Sequence, residues 1–243
     1  MIVVLIATRN AHKVAEIRAI LGERFQYLTL QDFPKAPAVI EDAPTFAGNA
    51  AKKAVELARW ICSGLLSPTL SSKRGEGADA ESSPGRQRVD FVLADDSGLE
   101  VDALNGAPGV HSARFAARVS GAEGNSSDKD NCAKLLRLLR EVPIEKRTAR
   151  FRCVVALTPV LEPVEHGASP VCYADEFELR TQIAEGACEG RIILEPKGRG
   201  GFGYDPLFVP EGYQETFAEL AEEVKNRISH RARALERLTG MLP

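Results

Sequence analysis

Two neighbouring carboxylates, Asp95 and Asp96, stand in ADDSG at the carboxyl end of the apolar run VDFVLA. An ion there is costly to desolvate unless a cation or hydrogen bonds compensate it. Mg2+ does so readily, because it takes one or two carboxylates together with phosphate oxygens and waters. Successive strand side chains point to opposite faces, so one acid is expected to serve metal or water and the other the scaffold. Acids of a turn, hydrogen-bonded to their own backbone, read the same way in isolation.

Three further segments carry complementary chemistry. TRNAHK, residues 8–13, follows an apolar run and precedes a helical pattern, so its free N–H groups and Lys13 would face an anion. The GxxxxGK signature of a P-loop is absent, and ordinary capping beside a solvated lysine gives the same letters. GRGGFGYD, residues 198–205, contains a literal G-x-G-x-x-G in Gly198, Gly200 and Gly203. A dinucleotide fingerprint must open a helix, and Tyr204, Asp205 and Pro206 interrupt one. The loop instead suits a planar ligand, with Phe202 and Tyr204 as aromatic faces and Asp205 at a polar edge, although a plain hairpin loop shares the composition. KNRISHRARAL, residues 225–235, gathers Lys225, Arg227, His230, Arg231 and Arg233, which taken alone is also the pattern of a solvated cationic face. No G-x-S-x-G or H-E-x-x-H occurs, and Ser97 has no nucleophile-elbow context.

The elements that must position these groups follow from periodicity. Residues 2–7 read as a strand, and Val14, Ile17, Ile20 and Leu21 as a helix after the polar loop. A second helix spans about 45–62, with Phe46, Ala50, Leu57 and Ile61 on one face and Asn49, Lys53 and Glu56 on another, just after Glu41 and Asp42. Ser, Gly, Pro and scattered charge over 63–88 read as a disordered surface insertion. Residues 89–94 form a strand, and the Ser97-Gly98 pair is expected to turn it into a second strand at 99–104. Residues 128–142 are helical. An antiparallel pair is expected from 149–157 with 171–183, then a short strand near 191–194. Thr216 and Glu219 look like a capping box opening a helix, and one more helix carries Ile228, Ala232, Leu235 and Leu238.

With 243 residues and 44% hydrophobic composition, one large domain over 1–243 is the expectation. The 31 basic and 34 acidic side chains give a formal charge of -3, which argues against a nucleic-acid scaffold but leaves a small anion open. MIVVLI is too short for a membrane span and lacks the flanks of a signal peptide, so a cytoplasmic protein with no membrane partner is expected. Five cysteines with no metal spacing read as reduced core thiols.

Together the segments resemble the inosine triphosphate pyrophosphatase family, the Ham1-like enzymes that hydrolyse non-standard purine nucleoside triphosphates. The similarity runs through ATRNAHKVAEI, EDAPTFAGNAAKKA, ADDSGLEVDALNGAPGVHSARFA, GGFGYDPLFVP and KNRISHRARAL, in that order. It implies an α/β fold with a long twisted mixed sheet, flanking helices and two lobes around a central cleft, a homodimer, and release of a nucleoside monophosphate and pyrophosphate from ITP, dITP or XTP. Residue by residue, Thr8, Arg9, Asn10 and Lys13 match the triphosphate segment, with Arg9 where many relatives carry glycine. Glu41 and Asp96 match the Mg2+ positions, and Asp96 also the general base. Asn49 and Lys53 match the second helix's polar stripe, expected to contact phosphate or a carboxylate, and Ser97 a substrate contact. Phe202, Gly203, Tyr204 and Asp205 match the base-binding loop, and Lys225, His230 and Arg231 the purine-recognition end. Two rivals stand beside this reading: a Maf-like pyrophosphatase acting on pyrimidine or modified nucleotides, and a nucleotide-binding module without turnover.

Overall fold

A computed structural model describes residues 1–66, 88–117, 124–161 and 176–240. The first strand, β1 (Val3–Ile6), is four buried aliphatic residues. Asn10 then caps α1 (Ala11–Leu21), its side-chain oxygen accepting from the His12 and Lys13 amides, and Gly22 at φ +66° ends the helix by donating to the Arg18 carbonyl. The chain continues through β2 (Gln26–Thr29), α2 (Phe46–Leu66), β3 (Phe91–Val101), α3 (Asp128–Leu138) and β4 (Thr148–Pro159). After α4 (Glu176–Arg180) come β5 (Gln182–Ile192), β6 (Phe208–Pro210), α5 (Glu222–Ile228) and α6 (His230–Thr239).

Among the described residues, six strands form one mixed sheet in the order β2-β1-β3-β4-β5-β6. β1 runs parallel to both neighbours, and every pair from β3 to β6 is antiparallel. The long β3–β4 pairing sorts side chains strictly by parity. Val92, Ala94, Val154 and Ala156 face the apolar stripe of α2, made of Ala50, Ala54, Leu57 and Ile61. Leu93, Cys153, Val155 and Leu157 face α1 and α6 through Ile17, Leu235 and Leu238. A third cluster, with Leu99, Phe151, Phe208 and Phe217, packs under Leu135 and Leu139 at α3. The cleft opens between α2 with the loop before it and a second lobe made of α3, the 198–205 loop and α5–α6.

On one face of the sheet α6 lies directly on β5. A Cβ at Gly186 would come within 2.1 Å of the His230 carbonyl oxygen and 2.4 Å of the Ala234 nitrogen. His230 itself is buried, its ring stacked on Phe151 at 4.8 Å and 13°, and its Nδ1 has no hydrogen-bond partner. Burial first, and then the Arg231 charge, hold its pKa well below the ordinary histidine value.

Several expectations change. Ser97-Gly98 is no turn: β3 continues through it, because β4 pairs with it residue by residue from Phe91 to Val101. Gly98 serves close approach instead, since a Cβ there would meet the Gly109 carbonyl oxygen and Ser112 Oγ at 2.5 Å each. The partner of β4 is 182–192 rather than 171–183; Glu176–Arg180 is helical, and the short strand expected near 191–194 is the end of β5. Glu219 does accept from the Thr216 amide at 2.9 Å, but the Thr216 hydroxyl donates to the Lys197 carbonyl, so no helix starts before Glu222. The final helix is two, broken at Ser229, whose side chain caps α6. Of the expected 63–88 insertion, residues 63–66 extend α2 and 67–87 lie outside the described residues. Cys62, Cys132, Cys153 and Cys188 are free thiols, and Cys172 lies outside the described residues. Among the described residues no helix is long and apolar enough to cross a membrane.

Two outcomes follow from this packing. Gly186→Ala should cost about 3 kcal/mol, the upper end for overpacking against atoms that cannot yield, and lower Tm by roughly 6–12 °C. Gly64→Ala, on an exposed turn of α2 where the added Cβ would meet none of the described atoms within 4 Å, should be neutral or stabilising by up to about 1 kcal/mol in the same melts. The depressed His230 pKa gives a definite sign. Stability is full above the unfolded value of about 6.5 and falls as pH drops below it, because only the unfolded state then takes up the proton, at up to about 1.4 kcal/mol per pH unit. Urea unfolding of the native chain and of His230→Gln between pH 6.5 and 5.5 should show that slope flattened in the variant.

Candidate active site

The cleft exists because two neighbouring strands end at different heights. β1 pairs with β3 only as far as Ile6 opposite Leu93, after which the chain leaves for α1, while β3 runs on to Val101. Among the described residues, the edge of β3 from Asp95 onward therefore has no strand on the β1 side, and side chains satisfy its backbone instead. Lys53 Nζ donates to the Asp95 carbonyl at 2.7 Å, the Ser97 amide donates to Asp96 Oδ1 at 3.0 Å, and the Leu99 amide donates to Ser112 Oγ at 2.9 Å. The cavity beside this edge has a volume of about 530 Å³, the scale of a small-molecule site.

Parity divides the two acids as expected. Asp96 faces α2, where Oδ2 accepts from Asn49 Nδ2 at 2.9 Å, and it lines the cavity. Burial pushes its pKa up and Glu41 adds to this, while Lys53, Lys13 and the Asn49 hydrogen bond oppose. Glu41 lies across from it, paired with Lys53 at 3.2 Å, and the Arg114 guanidinium donates to the Glu41 carbonyl at 3.0 Å. Two nearby carboxylates of which one is half-exposed, beside a cavity rather than inside a closed cage, are a donor set that fits Mg2+ arriving with phosphate oxygens and water.

Asp95 faces the other way and is wholly buried. Burial alone would raise its pKa, but Arg231 and Lys13 overwhelm that and hold it well below the usual carboxylate range. It is one member of a chain of alternating charge. Lys13 pairs with Asp95, Asp95 accepts from Arg231 Nε at 3.1 Å, Arg231 pairs with Glu16, Glu16 pairs with Lys225 at 2.7 Å, and Lys225 pairs with Asp205 at 2.6 Å. Asp205 then accepts from the Phe202 amide at 2.8 Å. Three cations and three carboxylates thus connect the start of α1 to the glycine-rich loop, each desolvated charge compensated by its neighbour. Despite burial, Asp205 and Glu16 raise the Lys225 pKa, so it stays protonated.

All the cleft segments expected from sequence converge on this cavity. Thr8, Arg9, Asn10, Lys13, Glu41, Lys53, Asp96, Ser97, the 202–205 loop, Lys225, His230 and Arg231 line it, and Asn49 stands behind Asp96. Some are less available than their letters suggest. The Asn10 side-chain Oδ1 is committed to capping α1, and Arg231 spends Nε, Nη1 and Nη2 on Asp95, Glu16 and Ser97, leaving two of its five N–H donors. Lys225, His230 and Arg231 are buried, so the solvated-face reading of that segment does not hold. Sequence reasoning missed Glu16, although its i+3 spacing from Lys13 places both on one helix face. It also missed Arg114, Asp128 and Asn131, for which no local signal existed.

Comparison with known proteins agrees with this geometry. A profile of the Ham1 family matches residues 4–241. Proteins named dITP/XTP pyrophosphatase are similar along almost the whole chain: that of Desulforamulus reducens is 44% identical over 98% of this chain and 94% of its own length. That of Geobacter sulfurreducens is 42% identical over 98% and 95%. Among solved structures, a HAM1 protein from Coxiella burnetii superposes with a TM-score of 0.71 at 32% identity, covering 99% of this chain and 98% of that one. With a profile match from end to end, relatives above 40% identity and a shared fold, the chain belongs to the Ham1 family.

Proposed function

We infer that this protein hydrolyses non-standard purine nucleoside triphosphates, ITP, dITP and XTP, to the nucleoside monophosphate and pyrophosphate. The observation that carries this is one cavity holding a helix N-terminus with Lys13, the Glu41–Asp96 acids and the Phe202–Asp205 loop. The names of the relatives supply the substrate class. The cytosol is the proposed location and a homodimer the proposed assembly.

The residues divide the work along the cleft. Thr8, Arg9, Asn10 and Lys13 receive the triphosphate at the positive end of α1, where their side chains line the cavity while the Asn10 cap takes the His12 and Lys13 amides. Glu41 and Asp96 would hold Mg2+, which when bound neutralises phosphate charge and polarises the α-phosphorus. Asp96, its basicity raised by burial, accepts a proton from the attacking water, with Asn49 and the Ser97 amide fixing the carboxylate's orientation. The water oxygen bonds to the α-phosphorus, the bond from that phosphorus to its bridging oxygen breaks, and pyrophosphate leaves. Lys53 stands between Glu41 and the β3 edge, where it offsets the repulsion of the two acids. At the far end Phe202 and Tyr204 border the base, and the remaining Arg231 donors suit the 6-oxo group of hypoxanthine or xanthine. Adenine presents an amino donor there, and a donor left unpaired costs about 1–3 kcal/mol.

In a hydrolysis panel with Mg2+ (ITP, dITP, XTP, ATP, GTP, dUTP and UTP), the first three should lead, with kcat/KM for ATP about 10- to 100-fold lower. Preference for a pyrimidine would favour the Maf-like alternative. Asp96→Asn should lower kcat by at least about 100-fold while calorimetric ITP affinity stays within a few-fold. Binding without turnover in the unaltered chain would make this a nucleotide-binding module instead.

A further inference from the structure

We propose that Asp128, at the first turn of α3, is a positioning residue for base recognition: its carboxylate fixes the glycine-rich loop at Gly203 and so sets where the Phe202 ring lies. This rests on the pyrophosphatase reading above and adds to that site a residue on an element with no part in the phosphate chemistry.

The loop has three tethers. Asp205 ties the Phe202 amide to Lys225, and the Tyr204 hydroxyl donates to the Ser112 carbonyl at 2.9 Å. Between them Gly203, at φ +62°, has both backbone groups taken by α3. Its amide donates to Asp128 Oδ2 at 2.7 Å, and its carbonyl accepts from the Cys132 thiol at 3.4 Å. The 2.7 Å contact to the Asp128 carboxyl oxygen is the shorter and the stronger of the two. Burial pushes the Cys132 pKa up to about 12, so that thiol keeps its proton as donor at neutral pH.

The same helix holds the opposite wall. Asn131, one turn on, accepts from the Ala116 amide at 2.8 Å and donates to the Ala113 carbonyl at 3.3 Å, which fixes the segment that receives the Tyr204 hydroxyl. Ser127 caps the helix by accepting from the Asp130 amide at 3.1 Å, so the turn carrying Asp128 is itself anchored. With Asp128 removed, only the weaker Cys132 thiol contact ties the Gly203 backbone to α3, no side chain of its own packs there, and a glycine in a left-handed conformation regains more freedom than any other residue. Displacing an aromatic face by about 1 Å is enough to lose much of a binding contact.

The test uses the full chain with Mg2+ and separates the two ends of the substrate. Asp128→Ala should raise KM for ITP about tenfold, while the inhibition constant of inorganic tripolyphosphate, which has no base, stays within twofold. Asp128→Asn, which keeps an acceptor oxygen at the same reach, should bring KM back to within threefold of the starting value. An unchanged KM in Asp128→Ala, an equal loss of ITP and tripolyphosphate binding, or no recovery in Asp128→Asn would each overturn the proposal. If Asp128→Ala does not fold, Asp128→Ser, one bond shorter than Asp, is read in its place. Failure of the unaltered chain to hydrolyse ITP would instead overturn the pyrophosphatase reading.

Discussion

A mismatch in strand length governs this molecule. β1 leaves the sheet opposite Leu93, and β3 carries on to Val101 beside β4 alone. A bare strand edge inside a domain must find donors and acceptors, and here Lys53, Asp96 and Ser112 supply them. Two of those three groups belong to the proposed chemistry, so satisfying the scaffold and building the site are one requirement. The edge also opens the cleft to both faces of the sheet, which is why groups from α2 on one face and from α1 and α6 on the other meet in a single cavity.

The alternating charges from Lys13 to Asp205 solve a second problem, how to bury four ions and half-bury two more, Lys13 and Glu16, near one another. Any isolated member would cost several kcal/mol to desolvate, yet each carboxylate here touches two cations or a cation and a backbone amide. Under the proposed function, a phosphate drawing on Lys13 would act on Asp95 and, through Arg231 and Glu16, on the lysine that braces the 202–205 loop, so that one electrostatic network would join the two ends of the substrate. Phe151 and His230 pack beneath it as a neutral stacked pair, which keeps further positive charge away from Arg231.

Local chemistry and distant pairing contribute differently to legibility. The strand–loop–helix at 2–21 was readable because its polar letters also make its cap: Asn10 both ends the loop and starts the helix. Ser97-Gly98 misled for the reason that serine and glycine signal turns in an isolated segment; only the eleven-residue register with β4 keeps them extended. The Thr216–Glu219 pair is similar, since half of the capping interaction forms and a contact with Lys197 removes the other half.

What the sequence determined by itself is the inventory and its order: acids after an apolar strand, a polar loop that opens a helix, an aromatic glycine-rich loop and a cationic helix start, with strand parity dividing Asp95 from Asp96. What only tertiary structure decided is the pairing of those groups. Which acid receives Arg231, that Glu16 bridges it to Lys225, and that Asp128 and Arg114 reach the site from remote elements depend on contacts between residues up to 215 positions apart. Propensity and periodicity act over a few residues, whereas these contacts arise from how whole strands end and how closely α6 can approach β5 at Gly186.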